Sequence, residues 1–342
     1  MDSIIRTDLA QLLGQVGERK FSAHRYLVTG GAGFLGSWLC DFLSEANGVV
    51  ECADDLSTGL TENIDHLESR SNFRFQKADV TQAKLNGTQH HAIIHMASHA
   101  SPEEYQKRPI ETLTVNSVGT LNLLELARKN DSIFLYTSTS EVYGDPSVIP
   151  TPESYWGNVS SIGPRSCYDE GKRFSEAICM AYFRTYGLDV RIVRIFNTYG
   201  PRLRADGFYG RALSRFIDQG LSGSAITVYG EGEQTRSFCY VTDTVRALLM
   251  ALAEPRMKGE VVNVGNPNEI TIMKLAEKIK DLTQTNSRIT FHPRPPHDPQ
   301  RRSPEITRVK EILGWSPAVS LEDGLRKTID WFRERKQSGK VN

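Results

Sequence analysis

The stretch RYLVTGGAGFLGSWLCDFLSEA, residues 25–46, decides the fold of this chain. Its first part, RYLVTG at 25–30, is mostly apolar and predicts a buried strand that ends in a turn. Its second part, FLGSWLCDFLSEA at 34–46, has apolar residues at helical spacing and predicts a helix. A strand that leads through a glycine-rich turn into a helix is the opening unit of many nucleotide-binding α/β proteins.

Three glycines form the turn between this strand and helix: Gly30, Gly33 and Gly36. Their spacing permits a tight turn, close approach of the backbone to a pyrophosphate, and close packing of helix on strand. The helix N-terminus adds free N–H groups and a positive dipole end for the phosphates. The turn therefore predicts a dinucleotide site that includes Phe34 and Leu35, although a glycine turn alone can also be purely structural.

Acidic residues end the next two predicted strands. Asp54 closes VVECADD at 49–55, and we expect it to bind the adenosine ribose hydroxyls. Its charge disfavours a 2′-phosphate, so the predicted cofactor is NAD and not NADP. Asp55 either shares this role or is a solvated loop residue. Asp79 is a predicted adenine contact, with an ordinary strand-terminal aspartate as the alternative.

Strands and helices alternate along most of the chain, which predicts right-handed crossovers and a parallel sheet covered on both faces. The predicted strands cover 25–30, 49–55, 72–80, 91–98, 132–140 and 189–197, and predicted helices cover 111–130 and 167–186. The fold class is therefore α/β, a Rossmann-type doubly wound sheet. We predict a helical leader at 1–24 that is an appendage, a nucleotide domain at 25–197 with 238–265 returning to it, and a smaller C-terminal substrate lobe from 198–237 and 266–342.

The composition excludes several classes of function. In 342 residues, 41 Lys and Arg balance 41 Asp and Glu, so no broad basic field predicts nucleic acid or membrane partners. Five scattered cysteines without CxxC spacing predict reduced thiols in a cytoplasmic protein. No signal peptide or membrane span is expected. The segment 291–304 is rich in proline and predicts a loop, so we do not take its His292 and His297 as metal ligands.

Two further segments carry candidate catalytic residues, STSEVYGDP at 138–146 and YDEGK at 168–172. Tyr168 and Lys172 are four residues apart on a predicted helix and share a face. A protonated lysine there lowers the phenol pKa, so that the phenolate accepts a proton from a sugar hydroxyl while hydride leaves for a nicotinamide. Thr139 ends the preceding strand, where its hydroxyl can share that proton. The alternative is a surface helix with an unremarkable Tyr and Lys.

The chain resembles the extended short-chain dehydrogenase/reductase family, which acts on nucleotide sugars, and within it the UDP-glucuronate decarboxylases. The resemblance covers about residues 25–335 and is densest in TSTSEVYGDP, ESYWGNVSSIGPRSCYDEGKR, RIFNTYGPR, TVYGEGEQTRSF and DPQRRSPEIT. It implies a tightly held NAD, an active site between two lobes, and a homodimer made by a four-helix bundle. It implies decarboxylation of a UDP-sugar through a 4-keto intermediate, with NADH recycled internally.

The resemblance also implies roles for individual residues. Tyr168 resembles the catalytic base and also contacts NAD together with its partner Lys172. Thr139 is similar to the triad hydroxyl, Glu141 to the additional carboxylate of the decarboxylase site, and Arg302 to the arginine that contacts the substrate carboxylate. The remaining predicted substrate contacts are Asn197, Arg202, Arg211 and Arg236 near the diphosphate and Tyr229 near the uracil. A solvated surface cation is the alternative for each arginine.

Differences from the resembled pattern leave alternatives open. The dehydratases carry an Asp-Glu pair where this chain has Ser140-Glu141, and simple 4-epimerases generally lack the carboxylate. A UDP-glucuronate 4-epimerase or another nucleotide-sugar epimerase or dehydratase remains an alternative, as does a non-catalytic NAD-binding scaffold. His99 stands in a substrate-facing loop, where it either contacts the sugar carboxylate or is exposed to solvent. The loop ahead of Arg211 is about two residues longer than in the family, which leaves the sugar open.

Overall fold

The computed structural model describes residues 1–82, 85, 89–205, 212–294 and 300–339. Its α-helices are α1 Ser3–Val16, α2 Phe34–Glu45, α3 Pro102–Lys107, α4 Pro109–Thr114, α5 Thr120–Asn130, α6 Ser166–Tyr186, α7 Ala212–Leu221, α8 Val241–Ala253, α9 Ile272–Thr283, α10 Thr307–Leu313 and α11 Leu321–Gln337. Its strands are β1 Arg25–Thr29, β2 Val49–Asp54, β3 Phe73–Lys77, β4 Ala92–His95, β5 Ile133–Thr139, β6 Val190–Ile195, β7 Thr198–Tyr199, β8 Ile226–Tyr229, β9 Thr235–Ser237, β10 Cys239–Tyr240, β11 Val261–Val264, β12 Glu269–Thr271 and β13 Ile289–His292.

The central sheet has seven strands in the order β3-β2-β1-β4-β5-β6-β11. Every neighbouring pair is parallel. This order confirms the predicted Rossmann-type doubly wound α/β fold. The order in which the strands are added reverses between β1 and β4, so that the crossovers on either side of this point run to opposite faces. In such sheets a crevice opens at the carboxyl ends of the strands at this switch point, and ligands bind there.

The helix predicted at 111–130 lies close to its expected bounds. Helices α4 and α5 follow each other with a single π-helical segment between them, Val115–Gly119. The segment places the buried Asn116 on the face that packs toward α6, where its side-chain amide donates to Ser98 Oγ at 3.0 Å. Such π segments are frequent at functional sites.

Smaller strand pairs lie beyond the central sheet. Strand β7 pairs with β10, β9 pairs antiparallel with β12, and β8 pairs with β13. The last pair corrects the prediction that the loop begins at residue 291, because Phe291 and His292 are in β13 and pair with Val228 and Tyr229. Pairing with a distant strand overrode the local proline-rich composition. His297 lies outside the described residues.

The N-terminal helix α1 is part of the main hydrophobic core, in contrast to the predicted appendage. Ile5, Leu9 and Leu12 are each at most 3% exposed, and the helix packs against α8 and α2. Asp8 on the same helix is also buried, where it accepts a hydrogen bond from the Tyr240 hydroxyl at 2.6 Å. An amphipathic helix buries its apolar stripe against whatever apolar surface it can reach, and here that surface is the sheet domain itself.

No helix in the described part of the chain combines the length and the apolar character that crossing a membrane requires.

Candidate active site

A cavity of about 850 Å³ opens at the carboxyl ends of the central strands. Its wall includes the glycine turn after β1, the ends of β4 and β5, helix α6 and the segments around Arg236 and Arg302. A cavity of this size is near the upper end of what small-molecule and cofactor sites occupy. It lies at the switch point of the sheet, which is where the fold class places its ligands.

The glycine turn has the geometry that a dinucleotide requires. Gly30 has a positive φ of 69°, and a Cβ on it would lie 2.7 Å from the backbone nitrogen of Ala97. A Cβ on Gly36 would lie only 2.2 Å from the Gly30 carbonyl oxygen, so only glycine lets helix α2 pack this closely on the turn. Gly33 caps the helix, and Phe34 and Leu35 also line the cavity. The turn therefore fits a pyrophosphate.

Asp54 lies where a ribose-binding carboxylate is expected, in the cavity wall at the end of β2. It accepts hydrogen bonds from the backbone nitrogens of Ala32 at 3.0 Å and Leu56 at 2.8 Å. Burial raises the pKa of this carboxyl, and the two backbone hydrogen bonds oppose that change. Asp79 also lines the cavity and accepts from the Thr81 backbone nitrogen at 2.8 Å. Both aspartates are thus held rigidly at the predicted cofactor end.

The predicted catalytic residues come together at the end of β5. Thr139 is hydrogen-bonded to the Tyr168 side chain, and burial raises the pKa of Tyr168 more than this bond lowers it. Lys172 Nζ donates to the Thr137 carbonyl oxygen at 2.9 Å and lies 5.9 Å from the centre of the Tyr168 ring. Burial lowers the pKa of Lys172 to about 7. Burial is thus the largest cause acting on the pKa of both groups, and the effect of Lys172 on the pKa of Tyr168 stays a prediction.

Glu141 and Arg302 form a buried ion pair beside these residues. Arg302 Nη1 contacts Glu141 Oε1, and Nη2 donates to Oε2 at 2.9 Å. Arg165 Nη2 contacts the same Oε2 from the other side. Burial alone would raise the pKa of Glu141, but the two guanidinium groups outweigh it and hold that pKa at about 2. Glu141 is therefore a carboxylate clamped between two arginines at the cavity wall.

Sequence reasoning missed Arg165 and Tyr105. The Tyr105 ring stacks on the Tyr168 ring, with centres 5.0 Å apart and planes at 4°. Arg165 lies over the Tyr105 ring, with its Cζ 6.0 Å from the ring centre. Arg165 stands three residues before Tyr168, so the quoted GPRSCYDEGKR motif contained the signal. Tyr105 is distant in sequence, and no local pattern marks it.

The structure places some of the predicted substrate residues in the cavity wall and others elsewhere. Asn197 and Arg236 line the cavity, and Asn197 Nδ2 donates to the Ser237 carbonyl oxygen at 3.4 Å. Arg202 also lines the cavity, but its guanidinium is 2.8 Å from Asp41 and its side chain is only 4% exposed. The predicted role of Arg202 as a phosphate ligand does not fit this geometry.

Tyr229 is absent from the described lining of the cavity and packs beside Arg215, whose Cζ is 5.0 Å from the tyrosine ring centre. Arg211 lies outside the described residues. His99 lines the cavity but is only 6% exposed, and its Nδ1 is 3.1 Å from Thr112 Oγ1, so the solvent-exposed alternative is wrong.

Known proteins share this fold and much of this sequence. The sequence model of the family described as GDP-mannose 4,6 dehydratase matches residues 27–328. A UDP-glucuronic acid decarboxylase 1 from Danio rerio is 47% identical over 308 residues, which is 90% of this chain and 72% of that protein. The structure of a UDP-glucose 4-epimerase with UDP-glucose from Thermotoga maritima has a TM-score of 0.83 and 32% identity over 91% of this chain and 99% of that one.

A dTDP-glucose 4,6-dehydratase from Streptomyces venezuelae with NAD and TYD bound has a TM-score of 0.82 and 29% identity over 92% of this chain and 98% of that one. The fold and the site thus define the class of extended short-chain dehydrogenases/reductases. The chain belongs to the nucleotide-sugar epimerase and dehydratase family within this class, and it is similar there to UDP-glucuronic acid decarboxylases.

Proposed function

We propose that this protein is an NAD-dependent enzyme that decarboxylates UDP-glucuronate to UDP-xylose. The observation that carries the proposal is the Glu141–Arg302 pair, which lines the cavity beside the hydrogen-bonded Thr139 and Tyr168. A guanidinium fork suits a carboxylate ligand, and the substrate has a carboxylate on C5, the neighbour of the carbon C4 that must be oxidised. The 47% identity to UDP-glucuronic acid decarboxylases supports the same reading.

Tyr168 is the base of the proposed reaction. It reacts as the phenolate, which accepts the proton of the C4 hydroxyl, and the Thr139 hydroxyl that is hydrogen-bonded to Tyr168 can share that proton. NAD held at the glycine turn would supply the acceptor for the C4 hydride and the donor for its return, so no net oxidation would occur. Once C4 is a ketone the sugar is a β-keto acid, and loss of CO₂ is easy because the electrons delocalise into the C4 carbonyl. Protonation at C5 and reduction at C4 then give the pentose.

The proposed NAD contacts are the glycine turn, Asp54 at the adenosine ribose, Asp79 at the adenine, and Tyr168 with Lys172 at the nicotinamide end. The cradle around Gly30 and Gly36, which any Cβ would fill, supports the first of these contacts. We assign NAD binding to 25–197 with 238–265, and nucleotide-sugar binding to 198–237 and 266–342. Asn197, Arg236 and Arg302 are the proposed sugar-nucleotide contacts within the cavity.

A 4-epimerase is the second candidate function. It shares Thr139, Tyr168 and Lys172 but has no use for a carboxylate held between two arginines, since epimerisation needs no decarboxylation. Dehydration needs an acid at C6 as well as a base at C5, and Ser140 stands where that acid would be. A non-catalytic scaffold would have no need to keep the hydrogen-bonded Thr139 and Tyr168 pair in the cavity wall.

The deciding experiment is incubation of the purified protein with UDP-glucuronate without added reductant, following CO₂ and sugar products by NMR. UDP-xylose with one equivalent of CO₂ supports the proposal. UDP-galacturonate without CO₂ would identify an epimerase. UDP-glucose, which lacks the carboxylate, is the matched control and should release no CO₂.

We also propose that the protein is a cytoplasmic homodimer. All five cysteines are buried free thiols, which suits a reducing compartment. Apolar side chains are exposed on the neighbouring helices α4 and α6 and the segment after α4, with Leu113 40%, Val118 42% and Phe174 44% exposed. Two such helices from each of two protomers would bury this surface as a four-helix bundle.

A further inference from the structure

Four charged side chains of alternating sign line up beside the catalytic tyrosine. Arg302 pairs with Glu141, Glu141 pairs with Arg165, and Arg165 Nε lies 3.7 Å from Asp169 Oδ2. Their side chains are between 5% and 17% exposed. Arg302, Glu141 and Arg165 line the cavity, and Asp169 is absent from its described lining. Arg165 is therefore the one cation in this row with a carboxylate on each side.

The proposed function requires Arg302 to bind the carboxylate of the substrate. Both of its terminal nitrogens already contact Glu141, and its Nε is buried without a hydrogen-bond partner among the described residues. To offer its fork to a substrate carboxylate, Arg302 must give up part of its hold on Glu141. A buried carboxylate that loses its cation is strongly disfavoured and takes up a proton instead. Something else must then hold the charge of Glu141.

We propose that Arg165 is a positioning residue that keeps Glu141 ionised and in place while Arg302 turns to the carboxylate of the substrate. This inference rests on the proposed function for the movement of Arg302. Arg165 acts through Glu141 and is not required to touch the substrate. Because it precedes helix α6, which carries Tyr168, it also fixes Glu141 relative to the base.

Of the two carboxylates beside Arg165, Glu141 makes the closer contact. Asp169 is the competing carboxylate, but at 3.7 Å it makes a looser contact with Arg165 than Glu141 does. Burial and the charge of Glu141 raise the pKa of Asp169 to about 7, so near neutral pH Asp169 competes only in part. The titratable groups that face this row from outside it are Tyr168 of α6 and Tyr105 of α3.

The test is the pH dependence of turnover in Arg165→Gln and Arg165→Lys, with Arg184→Gln as the control for loss of a cation elsewhere on α6, where the residue is exposed. The acid limb of kcat reports the substrate complex, and that of kcat/KM reports the free enzyme. In Arg165→Gln we expect the kcat limb to move up by about one pH unit or more, and the kcat/KM limb by less, because Arg302 still holds Glu141 before substrate binds.

Arg165→Lys keeps the charge, so its kcat limb should lie close to that of the wild type. Asp169→Asn should move the kcat limb to lower pH or leave it unchanged. Arg184→Gln should move neither limb. Equal shifts in both limbs, or none in a folded Arg165→Gln, would overturn the inference.

A second measurement separates this inference from the proposed function, because it needs no substrate. Infrared titration of the Glu141 carboxylate, assigned by its loss in Glu141→Gln, is compared in Arg302→Gln and in the Arg302→Gln, Arg165→Gln double variant. We expect Glu141 to stay ionised near pH 7 in the single variant and to be protonated there in the double one. If wild type releases no CO₂ from UDP-glucuronate, the proposed function fails, while this titration still decides whether Arg165 holds Glu141. An unchanged titration in the double variant overturns the inference.

Discussion

Arg302 and Glu141 are 161 residues apart in sequence, and the Nη2 of one donates to the Oε2 of the other at 2.9 Å. Glu141 follows the end of β5, whereas Arg302 belongs to the segment that leads to α10. The pair therefore ties the C-terminal segment to the carboxyl end of the central sheet. The cavity wall at this point and the chemistry proposed for it involve the same contact.

Replacing Glu141 by glutamine should abolish CO₂ release while leaving the protein folded. Glutamine keeps the shape but removes the charge that Arg302 and Arg165 hold, and loss of such a group costs catalysis on the order of 100-fold or more. CO₂ release from UDP-glucuronate measures it. Asp145→Asn, an exposed residue a few positions along the same segment, is the matched control and should keep full activity. Retention of most of the activity in Glu141→Gln would remove Glu141 from the mechanism.

Gly36→Ala should destroy the cofactor site. The new Cβ would lie 2.2 Å from the Gly30 carbonyl oxygen, so the turn or helix α2 must shift. Overpacking of this kind costs about 1–3 kcal/mol, and the dinucleotide cradle is distorted as well. Gly14→Ala is the control, since its Cβ meets nothing within 4 Å in helix α1, and it should stabilise the protein by about 0.5–1 kcal/mol.

Thermal unfolding with and without NAD measures both effects. An unchanged stabilisation by NAD in Gly36→Ala would show that the turn does not hold the cofactor.

Glutamate on the α4–α6 surface should give monomers. Leu113→Glu and Phe174→Glu each place a charge within the exposed apolar surface proposed as the four-helix interface. Light scattering after size exclusion measures the mass. Phe291→Glu changes another exposed aromatic residue, 58% accessible on β13, and should leave the dimer intact. A wild-type monomer, or dimers in both interface variants, would contradict the proposed assembly.

Asp169 should make the free energy of unfolding fall as pH rises toward neutrality. Its pKa is raised from 3.8 to about 7 in the folded protein, chiefly by burial. Between these values the folded state keeps a proton that the unfolded state has released, so the stabilisation is complete below 3.8 and is lost as pH passes about 7.

Asp169→Asn does not titrate, so its stability relative to wild type should rise by about 4 kcal/mol between pH 4 and pH 8. Urea unfolding at several pH values measures the difference. Curves for the two proteins that stay parallel over this range would contradict the prediction.

The sequence predicted those site features that depend on short spacing. Gly30 and Gly36 mark the turn because only a residue without Cβ fits, and Tyr168 with Lys172 follows from helical periodicity. The alternation of strands and helices predicted a parallel, doubly wound sheet, and the structure confirms it, although the order of its seven strands was not predicted. The glycine turn and the Tyr168–Lys172 pair are local, so a single segment contains the information for each.

Contacts between distant segments were not predictable in this way. Arg202 had the residue type and loop position of a phosphate ligand, yet it pairs with Asp41 of helix α2 at 2.8 Å. Arg165 lies inside the GPRSCYDEGKR motif, but only the fold shows that its partner is Glu141. The environment of Lys172 was also missed, because the depth of burial that lowers its pKa depends on the whole packed structure.

The N-terminal helix gives the last prediction, since its periodicity was visible in the sequence but its partner was not. Leu9 is 3% exposed and packs in the main core, so Leu9→Ala should lower the free energy of unfolding by about 2–5 kcal/mol. Gln11→Ala, on the exposed side of the same helix, should change it by less than about 0.5 kcal/mol. Urea unfolding monitored by tryptophan fluorescence measures both variants. If the helix were a separate appendage, Leu9→Ala would leave the main transition where it is, and the two variants would unfold alike.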